Sequence, residues 1–129
     1  MSTGRWDYER AKRLVAGEAL PCMLVDLDAF DANVRRIVEV CASHGKTLRP
    51  ASKSVRVPAL LRRIFDVGGP TVRGLLCYAV AEAKLLAGEG FDDLLVAYPT
   101  VQSSDVALAW ELTQAGTTIA LMLDAPAQV

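Results

Sequence analysis

Lys53 is the residue whose type and placement could most directly do chemistry. It lies in Leu48-Arg49-Pro50-Ala51-Ser52-Lys53-Ser54-Val55-Arg56, at the end of a short stretch, 47–52, that reads as a β-strand. In barrels and open α/β sheets alike, the C-terminal ends of the strands form the site. A lysine fixed there, desolvated and close to other cations, has its neutral amine favoured, which is what Schiff-base chemistry with a carbonyl requires. The competing reading, on composition and spacing alone, is a strand-end lysine that reaches solvent.

Other chemistries have less support. Cys22, Cys41 and Cys77 are widely spaced and form no CxxC pair, and the single histidine, His44, supplies at most one ligand. The cysteines read as small buried thiols and no metal site is expected. No GxGxxG follows a strand and no GxxxxGK[ST] occurs, so the usual handles on nucleotide phosphates are missing. Fourteen Lys plus Arg against fifteen Asp plus Glu leave a net charge of -1, which gives no broad positive face for nucleic acid. The first residues mix Arg5, Asp7, Glu9 and Arg10 with Trp6 and Tyr8, unlike a signal peptide, and no run reaches the roughly 18 apolar residues of a membrane span. A soluble, cytoplasmic chain is expected, with neither nucleic acid nor membrane as partner.

The elements that must position Lys53 follow from the hydrophobic pattern. A lead-in helix is expected over 6–15, then a strand at 22–25 delivering Asp28 as the N-cap of a long helix, with Asp31 three residues on and Leu27 facing Ala32. Phe30, Val34, Ile37, Val38 and Cys41 fall on one face of that helix, which should end near Ser43-His44-Gly45. After the 47–52 strand, Pro58 opens a helix carrying Leu60, Leu61, Ile64 and Phe65 that Gly68-Gly69-Pro70 closes. A strand at 74–78, a helix at 80–87 and a strand at 93–98 follow, the last apolar throughout as if covered on both faces. Ser103 or Ser104 can cap a helix with Val106, Leu108, Ala109, Trp110 and Leu112 before a final strand at 118–123.

Alternating strands and helices imply right-handed crossovers and a parallel α/β sheet. With 129 residues and 52% hydrophobic content there is material for one compact domain. A small doubly wound sheet would be complete at this length, whereas a TIM (β/α)8 barrel needs about 250 residues. Periodicity does not choose between them; the last strand has only residues 125–129 after it and no helix to cover it, so a fragment of a longer chain is expected.

Three stretches, read in order, carry a family resemblance. Pro21-Cys22-Met23-Leu24-Val25-Asp26-Leu27-Asp28-Ala29-Phe30-Asp31-Ala32-Asn33 looks like an opening strand and helix, including the Asp26-x-Asp28 pair and Asn33. Leu48-Arg49-Pro50-Ala51-Ser52-Lys53-Ser54 looks like a first barrel strand of the form Arg-Pro-His-x-Lys-Thr. Val80-Ala81-Glu82-Ala83 and Gly90-Phe91-Asp92-Asp93-Leu94-Leu95-Val96-Ala97-Tyr98-Pro99 resemble a helix start and a DDILxAxP strand. Together they resemble the N-terminal barrel region of the alanine racemase-like, fold type III pyridoxal-phosphate enzymes, and within it the D-threonine aldolase and D-serine dehydratase-like group.

The resemblance implies a leader over 1–20 and a truncated barrel domain over 21–129. It implies pyridoxal 5'-phosphate as cofactor, Lys53 as the catalytic lysine that forms the Schiff base, and Arg49, Tyr78 and Tyr98 as neighbours of that cofactor. Arg49 could equally face solvent or pair with a carboxylate, and the tyrosines could equally be packing aromatics. The implied activity is that of a lyase or isomerase on a small amino acid, D-amino acids with a β-hydroxyl being favoured, in a homodimeric parent. A divalent metal, if the parent uses one, would have its ligands outside this stretch, and the chain alone is expected to be inactive. The group's histidine two residues before the lysine is Ala51 here, which removes any role for that imidazole. The alternatives are a noncatalytic pyridoxal-phosphate-binding homeostasis protein and an unrelated doubly wound binding domain.

Overall fold

The chain turns its alternating pattern into a parallel sheet lined by helices on one face. A computed structural model describes residues 7–128. Its elements run α1 (Tyr8–Leu14), α2 (Leu27–Ser43), α3 (Ser52–Val55), α4 (Pro58–Gly68), β1 (Leu75–Cys77), α5 (Val80–Gly88), β2 (Leu94–Val96), α6 (Ser103–Gln114) and β3 (Ile119–Leu121). Single 3-10 turns follow at Gly69–Thr71 and Pro126–Gln128. Trp6 and the rest of 1–6, placed by the sequence in the leader and its helix, lie outside the described residues, as does residue 129.

The three strands are parallel in the order β1-β2-β3, with Leu76 aligned on Leu95 and Leu95 on Ala120. Residues 48–51 lie along the other side of β1 through isolated parallel bridges, Leu48 to Val72 and Ala51 to Leu76. Four successive segments therefore sit side by side in sequence order with no reversal. A doubly wound sheet reverses its order at a switch point and carries helices on both faces; a barrel wall does neither. The packing agrees with the barrel wall. Leu75, Cys77, Leu94 and Val96 are buried toward the helices, with α5 and α6 packed side by side, while Leu76 and Leu95 on the opposite face are half-buried and Ala120 is exposed.

The core joins this sheet face to Leu61 and Ile64 of α4, Val80, Ala83 and Leu86 of α5, and Ala109 and Leu112 of α6. Leu61, Leu75, Val80, Leu94 and Val96 are each less than 2% exposed, and burying such a side chain contributes about 1.5–3 kcal/mol. Outside the apolar contact, α2 is fastened to α4 by Asp31, whose carboxylate accepts from Arg63 Nε at 2.6 Å and Nη2 at 2.9 Å, with Arg35 at 3.5 Å. Those guanidinium hydrogen bonds hold the Asp31 carboxyl below its ordinary value.

Several expectations need correction. Residues 22–25 form no strand, and Met23 is 93% exposed. Asp26, not Asp28, caps α2: its carboxylate accepts the Ala29 N–H at 3.0 Å, which starts the helix at Leu27 and leaves Asp28 in the first turn. The 47–52 strand shrinks to the two bridges. The Leu48 and Pro50 carbonyls still accept from Arg73 and Leu76, but Pro50 has no N–H to give, and Ser52 already belongs to α3. The 93–98 run is covered on its helix face only, Leu95 being half-buried. Gln102 precedes α6 and Ser103 is its first residue, with no side-chain cap from either serine; Trp110 is 65% exposed.

Candidate functional site

The turn from the bridge at Ala51 into α3 decides where Lys53 goes. Lys53 is the second residue of this one-turn helix, beside the end of β1, and its side chain is exposed. Of the two sequence readings, a desolvated amine and a lysine that reaches solvent, the exposure matches the second, and the expected strand end is replaced by a helical turn. Its Nζ lies 3.4 Å from the Tyr98 hydroxyl and 5.4 Å from the centre of that ring, a contact that combines a hydrogen bond with attraction to the ring face.

The two tyrosines meet at the same place because each follows a strand. Tyr78 comes directly after β1 and Tyr98 two residues after β2, and the parallel register brings their rings to 4.9 Å between centres, tilted by 59°. Both are at least half exposed, Tyr78 at 57% and Tyr98 at 50%. Glu82, in the first turn of α5, reaches back so that its carboxylate accepts the Tyr78 N–H. That fixes the backbone carrying the first tyrosine. Lys53, Arg56, Leu61, Tyr78, Glu82 and Leu86 line a cleft of about 360 Å³ at this end of the sheet.

Arg49 is not brought to this place. Its guanidinium donates to both carboxylate oxygens of Asp93, at 2.8 and 2.9 Å, and to the Asp93 carbonyl. Asp93 immediately precedes β2, so the pair sits at the N-terminal ends of the strands, away from Lys53 at their C-terminal ends. Gly74 makes room for it: at φ +59, a Cβ there would run into Arg49 Nη1 and the Asp93 backbone. Of the two sequence readings of Arg49, the carboxylate partner is the one the geometry matches.

Three residues at the site escaped the sequence reading. Ser52 is 1% exposed and donates its hydroxyl to the Leu76 carbonyl at 3.0 Å. Arg56 donates Nε to the Lys53 carbonyl at 3.0 Å. Glu82 carries a visible signal, standing three residues after the Ala79 cap position in capping-box spacing; Ser52 and Arg56 carry none beyond adjacency to Lys53. Cys77 is inert in this setting: burial, with the Glu82 charge, pushes its thiol up to about 11. Among the described residues no group of three or more His, Cys, Asp or Glu could hold a metal ion, and no helix is long and apolar enough to cross a membrane.

No family model matches the chain. It is 27% identical over 104 residues to the 3-hydroxy-D-aspartate aldolase of Paracoccus denitrificans, covering 81% of this chain and 26% of that protein. It is 29% identical over 94 residues to the D-threonine aldolase of an Arthrobacter species, covering 73% and 24%. The chain is a homologue of these aldolases.

Among solved structures it is similar to the D-threonine aldolase of Filomicrobium marinum, at a TM-score of 0.74 and 25% identity, over 85% of this chain and 29% of that one. A variant of D-threo-3-hydroxyaspartate dehydratase shares the fold at a TM-score of 0.79 and 21% identity, over 93% and 31%. The aldolases among these relatives are fold type III pyridoxal-phosphate enzymes, the group that the three ordered stretches resemble. The α/β wall described above is consistent with part of their barrel fold. The chain spans about a quarter of the length of the curated relatives it matches.

Proposed function

We propose that this chain is the cofactor-attachment portion of a pyridoxal-phosphate-dependent lyase acting on β-hydroxy D-amino acids, with Lys53 as the attachment lysine. The observation that carries the reading is the exposed Lys53 amine at the C-terminal ends of the strands, 3.4 Å from Tyr98, whose ring packs on that of Tyr78. The donor set suits the group: a primary amine for its carbonyl, and two aromatic faces for its planar ring. When bound, the cofactor supplies an electron sink for charge developing at the substrate α carbon.

The chain's own residues orient and support that chemistry. Lys53 provides the nitrogen for covalent attachment. Tyr98 accepts the hydrogen bond that aims Nζ across the strand ends, and Tyr78 packs against Tyr98 with its backbone fixed by Glu82. Arg49 has no part in this; it supports the sheet from the other end. The setting that accompanies the proposal is a cytoplasmic homodimer with a small amino acid as its substrate.

Turnover of D-threonine and of threo-3-hydroxyaspartate by protein carrying this sequence, with and without Lys53→Ala, tests the reading. Cleavage or dehydration that disappears in the variant supports it. Turnover that survives the substitution contradicts it, and binding of pyridoxal phosphate on Lys53 with no turnover of any amino acid favours the noncatalytic binding protein.

A further inference from the structure

Lys53 stands on a helix of one turn, and an isolated turn is unfavourable because it fixes three residues for a single hydrogen bond. Yet α3 is tied at both ends. Before Lys53, the Ser52 side chain is buried and donates to the Leu76 carbonyl in the middle of β1. After it, Arg56 takes the left-handed conformation at φ 56, uncommon for a residue other than glycine, and its N–H closes the turn on the Ser52 carbonyl at 2.8 Å. The same residue's Nε returns to the Lys53 carbonyl. Val55 anchors the turn further by packing against the core.

We propose that Ser52 and Arg56 are positioning residues that clamp α3 to the sheet and so hold the Lys53 amine at Tyr98. The inference rests on Lys53 being the attachment lysine, and it adds what keeps that lysine in place. Without the Ser52 hydroxyl the turn loses its tie to β1. Without the Arg56 side chain the Lys53 carbonyl loses its partner, and the left-handed cap loses the contact that accompanies it.

Two readouts on the same proteins test the clamp. The first is the pyridoxal-phosphate concentration giving half-maximal borohydride-trapped adduct on Lys53, with Lys84 as an exposed internal reference. The second is amide hydrogen exchange at Ser54, whose N–H bonds to the Ala51 carbonyl inside this turn. Ser52→Ala and Arg56→Ala are each expected to raise the half-saturation concentration about tenfold and Ser54 exchange by a similar factor. Ser52→Thr, which keeps the hydroxyl, stays within about twofold. Far-UV circular dichroism confirms that each variant is folded; should Ser52→Ala lose its helix signal, Arg56→Ala, altered at an exposed side chain, decides the matter.

Folded variants with unchanged half-saturation and unchanged Ser54 exchange would overturn the clamp. A wild-type chain with no adduct on Lys53 overturns the attachment reading instead, and the exchange rates then still judge the clamp by themselves.

Discussion

At the N-terminal ends of β1 and β2, Arg49 grips Asp93 through three hydrogen bonds over a glycine that leaves no room for a side chain, and Asp92 accepts the Thr118 N–H at 2.6 Å ahead of β3. At the C-terminal ends, Lys53, Tyr78 and Tyr98 stand exposed around one long contact of 3.4 Å. The first end is built for stability, with polar groups consumed by one another. The second leaves an amine and two aromatic rings facing outward, a costly exposure that makes sense where a ligand arrives. In barrel folds chemistry sits at the second end, and the site proposed for this chain lies there.

Substitutions at the two ends should therefore fail differently. The largest effect is expected at Gly74. Gly74→Ala forces a Cβ into the Arg49 guanidinium and the Asp93 backbone at a positive φ, and should cost more than about 3 kcal/mol in chemical denaturation, or prevent folding. Arg49→Ala comes next. It takes the guanidinium from the half-exposed Asp93 carboxylate, while the Asp93 carbonyl keeps the Leu75 N–H, and should cost about 1 kcal/mol, while cofactor labelling of Lys53 tracks the folded fraction and nothing more. A selective loss of labelling in folded Arg49→Ala would return this arginine to the cofactor site and erase the division.

A smaller effect is read by pH. The Arg63 hydrogen bonds hold the Asp31 carboxyl below the ordinary 3.8, and the Thr118 N–H does the same for Asp92. The folded chain thus binds fewer protons than the unfolded one. The stability these groups supply is complete above about pH 4 and is lost as pH falls through their folded values. The melting temperature should fall as pH drops below about 4, and Asp92→Asn should flatten part of that slope. The smallest change in stability is expected from Tyr98→Phe, within about 0.5 kcal/mol of wild type, yet it should weaken Lys53 labelling a few-fold. Equal labelling would make Tyr98 a packing aromatic.

Much of this was legible in the chain. The helix at 58–68 announced itself through Pro58, Leu61, Ile64 and the closing glycines, and the strands at 75–77, 94–96 and 119–121 lie inside the apolar runs that marked them. Lys53 was singled out by its place after a strand-like stretch, and the three ordered segments identified its relatives. What the sequence obscured was governed by long-range partners. Asp26 and Asp28 are equally good caps locally, and the choice between them is set where the helix actually starts. Pro50 interrupts a ladder that residues 47–52 otherwise suggest. Arg49 and Asp93 lie 44 residues apart, so neither residue type nor spacing announces that they cancel each other. Ser52 matters through a carbonyl 24 residues away, a contact no local pattern encodes.

The central claim is that Lys53 alone among the chain's lysines is built into a cofactor site. Borohydride reduction in the presence of limiting pyridoxal phosphate, followed by peptide mass mapping, compares it directly with Lys12, Lys46 and Lys84. The account predicts a pyridoxyl adduct concentrated on Lys53 that unfolding abolishes as a preference. Equal modification of all four lysines in the folded protein, or a clean Lys53 peptide, would contradict it.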